Sequence, residues 1–210
     1  QTKLCAGHSV GEYAALVAAK AISFSDGVRA VRLRGQLMQE AVPVGEGGML
    51  AVIGLDEEQI QVLCQYVTQN SGLGPLEPAN FNAPGQIVIS GSARAIEWTR
   101  TNFKSEVLPG EPKKVRFIPL PVSAPFHCSM MKPAEKLMGE HLHTILFGKP
   151  EIPVVQNYNA QAIHDGEQLR ENLIRQITGS VKWTQSMQYF LSKNVTHCIE
   201  VGSGKVLSGL

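Results

Sequence analysis

The sequence predicts an α/β fold in which a core with a mainly parallel sheet is interrupted by an inserted ferredoxin-like subdomain. Two observations support this prediction. Strand-like and helix-like segments alternate along the outer parts of the chain, which is typical of a parallel sheet covered by helices. Between residues 46 and 121 the order becomes β-α-β-β-α-β, the split ferredoxin-like pattern. We therefore expect residues 1–45 and 122–210 to form the core and residues 46–121 to form the subdomain.

The first core segment is predicted to contain one strand and two helices. An apolar strand over 4–6 leads through a turn into a helix over 10–20. Ser25 or Asp26 can cap a second helix, which ends before Pro43.

Periodicity and turn residues predict the remaining elements. Residues 69–78, rich in Gly, Pro and Asn, are expected to form a surface loop. In the subdomain we expect strands over 49–53, 79–82, 86–90 and 115–120, with helices over 56–69 and 93–103. In the second core segment we expect helices over 133–146, 167–178 and 183–193, with strands over 153–157 and 197–201.

Composition excludes several classes of protein. The 210 residues, 43% of them hydrophobic, can bury a substantial core, which argues against disorder. A net charge of +1 gives no overall field for nucleic acid or an anionic membrane. No apolar run is long enough to span a membrane, no signal peptide is recognisable, and four scattered cysteines indicate reduced thiols. We expect a soluble, cytoplasmic protein whose two ends look trimmed.

Residues 7–11 read Gly-His-Ser-Val-Gly and fit the G-x-S-x-G motif. The motif lies between a predicted strand and a predicted helix, as a nucleophile elbow requires. A tight turn would expose the Ser9 hydroxyl, and the Val10 amide at the helix N-terminus could donate to an oxyanion. The alternative is a glycine-flanked turn whose serine only caps the helix. His8 is expected to pack beside the site.

A serine nucleophile needs a base, and two of the six histidines are serious candidates. His127 lies in a proline-rich segment that leaves a predicted strand. His197 lies near the end of the sequence, after Asp165, in the Ser-acid-His order of a serine hydrolase. His141 and His143 fall on different helix faces, which disfavours a metal pair, and no metal site is expected.

Arg34 is the candidate for an anion-binding residue. It lies two positions from Arg32 on an otherwise apolar helix, so the two cannot share a face and one of them is expected to point inward. A buried guanidinium needs an anion, either a ligand carboxylate or an internal glutamate such as Glu40. Spacing alone favours the glutamate.

Five segments in the same order resemble the malonyl-CoA:acyl carrier protein transacylases of type II fatty acid synthesis. A weaker similarity is to the acyltransferase domains of polyketide synthases. The matching segments are residues 7–13, 34–39, 80–86, 122–131 and 200–207. The resemblance implies a hydrolase-like α/β core with a ferredoxin-like insert. It also implies an S-malonyltransferase that moves malonyl from coenzyme A to the phosphopantetheine thiol of acyl carrier protein through a malonyl-serine.

The resemblance assigns roles to individual residues. Ser9 matches the nucleophile and His127 the general base. Gln176 matches the residue whose main-chain carbonyl orients that histidine, so no acidic third member is required. Arg34 matches the arginine that binds the malonyl carboxylate. Phe126 resembles the residue found in malonyl-selective members.

Further expectations follow from the same resemblance. His8 would contact the substrate, and the partners would be malonyl-CoA and acyl carrier protein. No resident cofactor is needed, and we expect a monomer. The family's second oxyanion donor belongs to a Gly-Gln-Gly stretch that does not occur in this sequence, so we expect it in a preceding segment.

Two rival functions remain open on the sequence alone. A serine hydrolase or thioesterase would combine Ser9 with His197 and Asp165. A non-catalytic module would only bind the carrier protein. The sequence also leaves open whether the pathway makes fatty acids or polyketides.

Overall fold

The structure is a computed structural model that describes residues 2–210. It has the mixed α/β character that the sequence predicts. The strands are β1 (Cys5–Ala6), β2 (Gly47–Ile53), β3 (Leu76–Ala83), β4 (Gln86–Ser92), β5 (Arg116–Pro119), β6 (Val154–Val155) and β7 (Ala162–Ile163). The helices are α1 (Gly11–Ala18), α2 (Phe24–Glu40), α3 (Glu57–Ser71), α4 (Ala93–Asn102), α5 (Lys132–Leu142), α6 (Gly166–Arg175) and α7 (Trp183–Ser192).

The first sheet joins a strand near the start of the chain to two strands within residues 154–163. β1 pairs in parallel with β6, and β6 pairs antiparallel with β7, a strand that the sequence did not predict. Of the mainly parallel sheet that we expected, the described residues therefore contain one parallel pairing. A hydrophobic cluster built from α1, α2, α5 and α6 surrounds this sheet and includes Leu16, Met38, Met138 and Leu173.

The second sheet is antiparallel, with strand order β3-β4-β2-β5. Helices α3 and α4 cover one face and bury a separate hydrophobic cluster that includes Leu50, Ile60, Leu63 and Ile89. Helix α3 begins at a capping box, because the Asp56 side chain accepts from the Gln59 amide while the Gln59 side chain accepts from the Asp56 amide.

The segment before α7 lies along the outer edge of β3. The Val181 amide donates to the Ala79 carbonyl at 2.8 Å, and the Phe81 amide donates to the Val181 carbonyl at 2.9 Å. The Ser180 hydroxyl donates to the Pro78 carbonyl at 2.6 Å. The segment before α7 therefore satisfies backbone groups that an edge strand would otherwise expose.

Three local predictions are wrong. Residues 197–201 form no strand, and the side chains of Ile199 and Val201 are 87% and 91% exposed, since no described segment pairs with their backbone. The loop expected over 69–78 gives way to β3 at Leu76, because an edge strand tolerates Pro78 at a register shift. Helix α2 is capped by Ser23, whose hydroxyl accepts from the Asp26 amide at 3.1 Å.

Within residues 2–210, no helix combines the length and the apolar character that crossing a bilayer would require.

Candidate active site

The turn between β1 and α1 presents Ser9. Its φ of 51° lies in the left-handed region, which strains a residue with a side chain. A Cβ at Gly7 would come within 2.0 Å of the Gly11 backbone, so the turn closes only with glycine at position 7. A Cβ at Gly11 would meet nothing within 4 Å. Of the two glycines in the motif, the geometry of the turn therefore requires only the first.

His127 lies against Ser9, as predicted. Its Nε2 is 2.7 Å from the Ser9 Oγ, and its Nδ1 is 2.8 Å from the main-chain oxygen of Gln176. A carbonyl oxygen can only accept, so Nδ1 carries the proton and Nε2 is free to accept the serine proton. Hence a carbonyl occupies the position that an acid holds in a Ser-His-Asp triad.

The environment of His127 keeps its imidazole neutral. The side chain is buried, and this burial, assisted by the positive charge of Arg34, lowers the pKa of His127 to about 3. A neutral imidazole can act as a general base over the whole physiological pH range.

Arg34 points inward from α2 and is 7% exposed. Its Nη2 donates to the Ser9 Oγ at 2.9 Å and to the Gln176 Oε1 at 3.3 Å, while its buried Nε has no acceptor. The prediction of an internal ion pair between Arg34 and Glu40 is wrong, because Glu40 is exposed and accepts a hydrogen bond from the Gln36 side chain instead. The guanidinium therefore lies beside the Ser9 hydroxyl with no carboxylate hydrogen bonded to it among the described residues.

A buried carboxylate lies beneath this arrangement, and the sequence analysis missed it. Glu12 is 0% exposed and accepts from the Asn157 amide at 2.7 Å and from the side chains of Gln176 and Gln156, each at 3.0 Å. Burial raises the pKa of Glu12 to about 7, although these hydrogen bonds oppose the rise. The available signal was a single acidic residue among the small and apolar residues of α1.

Asn157, which the sequence analysis also missed, holds the turn at Ser9 in place. Its Oδ1 accepts from the Ser9 amide at 2.7 Å, and its Nδ2 donates to the Gly7 carbonyl at 2.8 Å. It follows β6, and parallel strands β1 and β6 end at the same sheet edge, which could have pointed to it. The Ser9 amide is thus occupied, whereas the Val10 amide at the start of α1 has no acceptor among the described residues.

His8 and Phe126 flank the site. The His8 Nε2 donates to the Asn82 Oδ1 over 2.8 Å, and its ring lies 5.5 Å from that of Trp183. Burial lowers the pKa of His8. Phe126 is half-buried and packs against both the core cluster and a small group formed by Met49, Ala79 and Val88. The expected contacts of both residues with substrate stay predictions.

The structure does not assemble the rival hydrolase triad. His197 is exposed, and its Nδ1 is 2.9 Å from the Thr196 hydroxyl. Asp165 caps α6 by accepting from the Gln168 amide at 2.9 Å. Among the described residues, the group of imidazole and carboxylate side chains close enough to share a metal ion is His143, Glu167 and Glu171, at the surface.

The sequence around this site matches a known family. A family model described as an acyl transferase domain matches residues 1–202. This chain belongs to the acyl transferase domain family.

Relatives of this acyl transferase domain share both its sequence and its fold. Malonyl CoA-acyl carrier protein transacylase of Escherichia coli (strain K12) is 44% identical over 207 residues, which are 99% of this chain and 64% of the relative. The crystal structure of FabD from Acinetobacter baumannii superposes with a TM-score of 0.90 at 43% identity and covers 99% of this chain and 63% of that one.

A second similar structure contains a partner. It is a type II PKS acyl-carrier protein in complex with its malonyl-transacylase, with a TM-score of 0.89 at 43% identity, covering 99% of this chain and 63% of that one. The acyl transferase domain described here thus spans just under two thirds of the length of these relatives.

Proposed function

We propose that this acyl transferase domain transfers a malonyl group from coenzyme A to the phosphopantetheine thiol of an acyl carrier protein. The observation that carries the proposal is the pair of contacts at the Ser9 Oγ, with the His127 Nε2 at 2.7 Å and the Arg34 Nη2 at 2.9 Å. A base next to Ser9 fits nucleophilic catalysis, and a buried guanidinium with no carboxylate hydrogen bonded to it fits an acyl group that ends in a carboxylate.

In the first half-reaction the neutral imidazole of His127 takes the proton of Ser9 as Oγ attacks the malonyl thioester carbonyl. The Val10 amide donates to the oxyanion, supported by the N-terminus of α1. Collapse of the tetrahedral intermediate breaks the carbon–sulfur bond, and coenzyme A leaves as a thiol with the proton from His127. A malonyl ester remains on Ser9.

In the second half-reaction the carrier's phosphopantetheine thiol replaces coenzyme A. His127 removes the thiol proton, sulfur attacks the ester, and Ser9 regains its proton when the carbon–oxygen bond breaks. Each substrate meets the site in turn, so the kinetics are ping-pong. Arg34 pairs with the malonyl carboxylate throughout, and Phe126 would exclude branched acyl groups.

The division of the chain into a core and a subdomain is part of the same proposal. We propose a hydrolase-like core formed by residues 1–45 and 122–210, with a ferredoxin-like subdomain at 46–121. The strand order β3-β4-β2-β5, the two helices on one face of that sheet and the separate hydrophobic cluster support the subdomain. The parallel β1/β6 pair followed by the serine turn and α1 supports the core.

The proposed setting follows from the substrates. The partners are malonyl-CoA and an acyl carrier protein of either fatty acid or polyketide synthesis. Ser9, His127 and Arg34 provide the chemistry without a resident cofactor. Free thiols at Cys5, Cys64, Cys128 and Cys198 support a reducing compartment such as the cytoplasm.

Intact-mass measurement on the full-length protein tests the proposal. After exposure to malonyl-CoA we expect a mass gain of one malonyl group, which disappears on addition of holo acyl carrier protein. The adduct should be absent in Ser9→Ala and present in the control Ser25→Ala, which changes an exposed serine. Carrier binding without any adduct would favour the binding module, and rapid loss of the adduct to water would favour the hydrolase.

A further inference from the structure

We infer that Glu12 is a positioning residue of this site, because its buried carboxylate holds Gln176 in the orientation that aims His127 at Ser9. The inference rests on the proposed function. It concerns a residue that neither touches the reacting atoms nor lies on the surface.

The hydrogen bonds of Glu12 define its state. Oε2 accepts from the Asn157 amide at 2.7 Å and from the Gln176 Nε2 at 3.0 Å, while Oε1 accepts from the Gln156 Nε2 at 3.0 Å. Every partner is a donor, so the arrangement suits the ionised carboxylate and leaves no acceptor for a carboxyl proton.

Gln176 connects Glu12 to the reacting groups. Its Nε2 also lies 3.2 Å from the Ser9 carbonyl oxygen and 3.2 Å from the Asn157 Oδ1, and its Oε1 accepts from Arg34. Its main-chain oxygen accepts from the His127 Nδ1. One residue at the end of α6 thus contacts the nucleophile, the base and the anion-binding arginine, and Glu12 fixes the position of its side chain.

The charges give Glu12 a second effect on the same step. His127 becomes an imidazolium during proton transfer and lies close to the Arg34 guanidinium, whose charge already disfavours its protonation. The malonyl carboxylate can balance one of these cations. Among the described residues, Glu12 is the carboxylate that hydrogen bonds with Gln176, so it can balance the other through that residue.

The ionisation of Glu12 falls within an accessible pH range. The charged group that faces it is Arg34 on α2, with Tyr13 beside it on α1, while Gln156, Asn157 and Gln176 present amides. Burial raises the pKa of Glu12 to about 7, and the pKa of His127 is about 3. Malonylation of Ser9 should therefore slow as the pH falls through about 7, because Glu12 gains a proton there and His127 does not.

The test measures the rate of Ser9 malonylation by malonyl-CoA in the full-length protein between about pH 5.5 and 8.5, a range that brackets the carboxyl pKa. Glu12→Gln should reduce the limiting rate by roughly 10- to 100-fold with little change in the half-saturating malonyl-CoA concentration, and it should remove the fall through pH 7. The control Glu151→Gln removes an exposed carboxylate paired with Lys20 and should behave as the wild type.

A second variant tests the same interaction between Glu12 and Gln176 by changing Gln176. Gln176→Ala keeps the main-chain carbonyl but loses every contact of the side chain, so it should also slow malonylation and flatten the pH dependence. The double variant should be no slower than the slower single variant, since both changes break one connection. If circular dichroism shows that Glu12→Gln is unfolded, the rate and pH profile of Gln176→Ala decide the question.

The outcomes are distinct. A wild-type rate for Glu12→Gln, a double variant whose loss is the product of the single losses, or a Gln176→Ala enzyme with the wild-type pH profile would overturn the inference and leave the proposed function standing. A wild-type protein that forms no malonyl adduct would overturn both.

Discussion

At Ser9, one hydroxyl oxygen serves two neighbours. It donates its proton to the His127 Nε2 and accepts from the Arg34 Nη2. The guanidinium stabilises negative charge developing on oxygen, while its remaining donors and its unpaired Nε can receive a carboxylate. In the proposed reaction the same cation therefore supports the nucleophile and selects the acyl group.

Arg34→Ala should exchange malonyl for acetyl transfer. Loss of the guanidinium leaves the malonyl carboxylate unpaired in a buried site, which costs roughly 2 to 5 kcal/mol of its binding, whereas an acetyl group loses no such partner. Arg34→Lys keeps the charge but not the planar fork and should fall between the two. Acylation rates with malonyl-CoA and acetyl-CoA measure the ratio.

Arg32→Ala is the matched control, since Arg32 is exposed on the same helix and should leave the ratio unchanged. An unaltered malonyl preference in Arg34→Ala would remove Arg34 from the substrate site.

His127 should remain neutral far below the usual pH range of a histidine. Burial and the charge of Arg34 lower its pKa to about 3, so ¹⁵N NMR of the imidazole should show no protonation near pH 6.5. Because this pKa is lower in the folded than in the unfolded chain, the associated stability is present above about pH 6.5 and is lost as the pH falls toward 3.

Arg34→Ala should raise the pKa of His127, because it removes the positive charge that helps to lower this pKa. A His127 imidazole that titrates near pH 6.5 in the wild type would contradict the burial of this side chain.

Part of the site is predictable from sequence because its residues sit in local patterns. Ser9 lies in a strand–turn–helix motif, and His127, Gln176 and Arg34 could be placed through the family resemblance. Glu12 and Asn157 have no such local signature, since their roles depend on hydrogen bonds between residues 145 positions apart. Only the fold brings these partners together, so the roles of Glu12 and Asn157 become visible in the structure and not in the sequence.

Among the elements, the serine turn depends on one close backbone approach. Gly7→Ala places a methyl group within 2.0 Å of the Gly11 backbone and should destabilise the protein and prevent malonylation. Gly11→Ala is a matched control, because its methyl group meets nothing within 4 Å and alanine is better than glycine in a helix by about 0.5 to 1 kcal/mol. Urea denaturation and intact mass report the two effects, and equal tolerance of both changes would contradict this account of the turn.

Asp165 should matter to helix α6 and not to chemistry. Its side chain accepts from the Gln168 amide, so Asp165→Ala should lower the free energy of unfolding by about 1 kcal/mol while the malonylation rate is retained. His197→Ala should change neither quantity, because His197 is exposed. Loss of acylation in either variant, with folding intact, would restore the Ser-acid-His alternative.

Helices were easier to predict than strands, for a physical reason. Helix α3 makes its hydrogen bonds within 57–71 and shows its apolar periodicity and its cap locally. Strands need partners. Residues 197–201 have a suitable apolar pattern but pair with no segment within residues 2–210, whereas the two-residue β7 exists only because β6 lies beside it. The apolar pattern of a segment does not show which other segment it would pair with to form a sheet.

For the whole molecule, the contact between β3 and the segment before α7 is one of the connections through which the proposed core and subdomain can unfold together. This contact uses backbone hydrogen bonds of Val181 in both directions, to Ala79 and from Phe81. The two large hydrophobic clusters are separate, and Phe126 packs against both the first cluster and the sheet residues Met49, Ala79 and Val88, so cooperativity passes through Phe126 as well as through this edge.

Val181→Pro should uncouple the two parts. Proline has no amide hydrogen to donate to the Ala79 carbonyl, so the edge of β3 loses this hydrogen bond, while no residue of the two large hydrophobic clusters is changed. Differential scanning calorimetry of the wild type should show one transition for the core and subdomain, and the variant should show two. Val181→Ala keeps the amide but truncates a fully buried side chain, so it should lower the midpoint of a single transition. If the proline variant also melts in one step, the two parts share a closer connection than this edge and the proposed boundaries at 46 and 121 do not separate independent units.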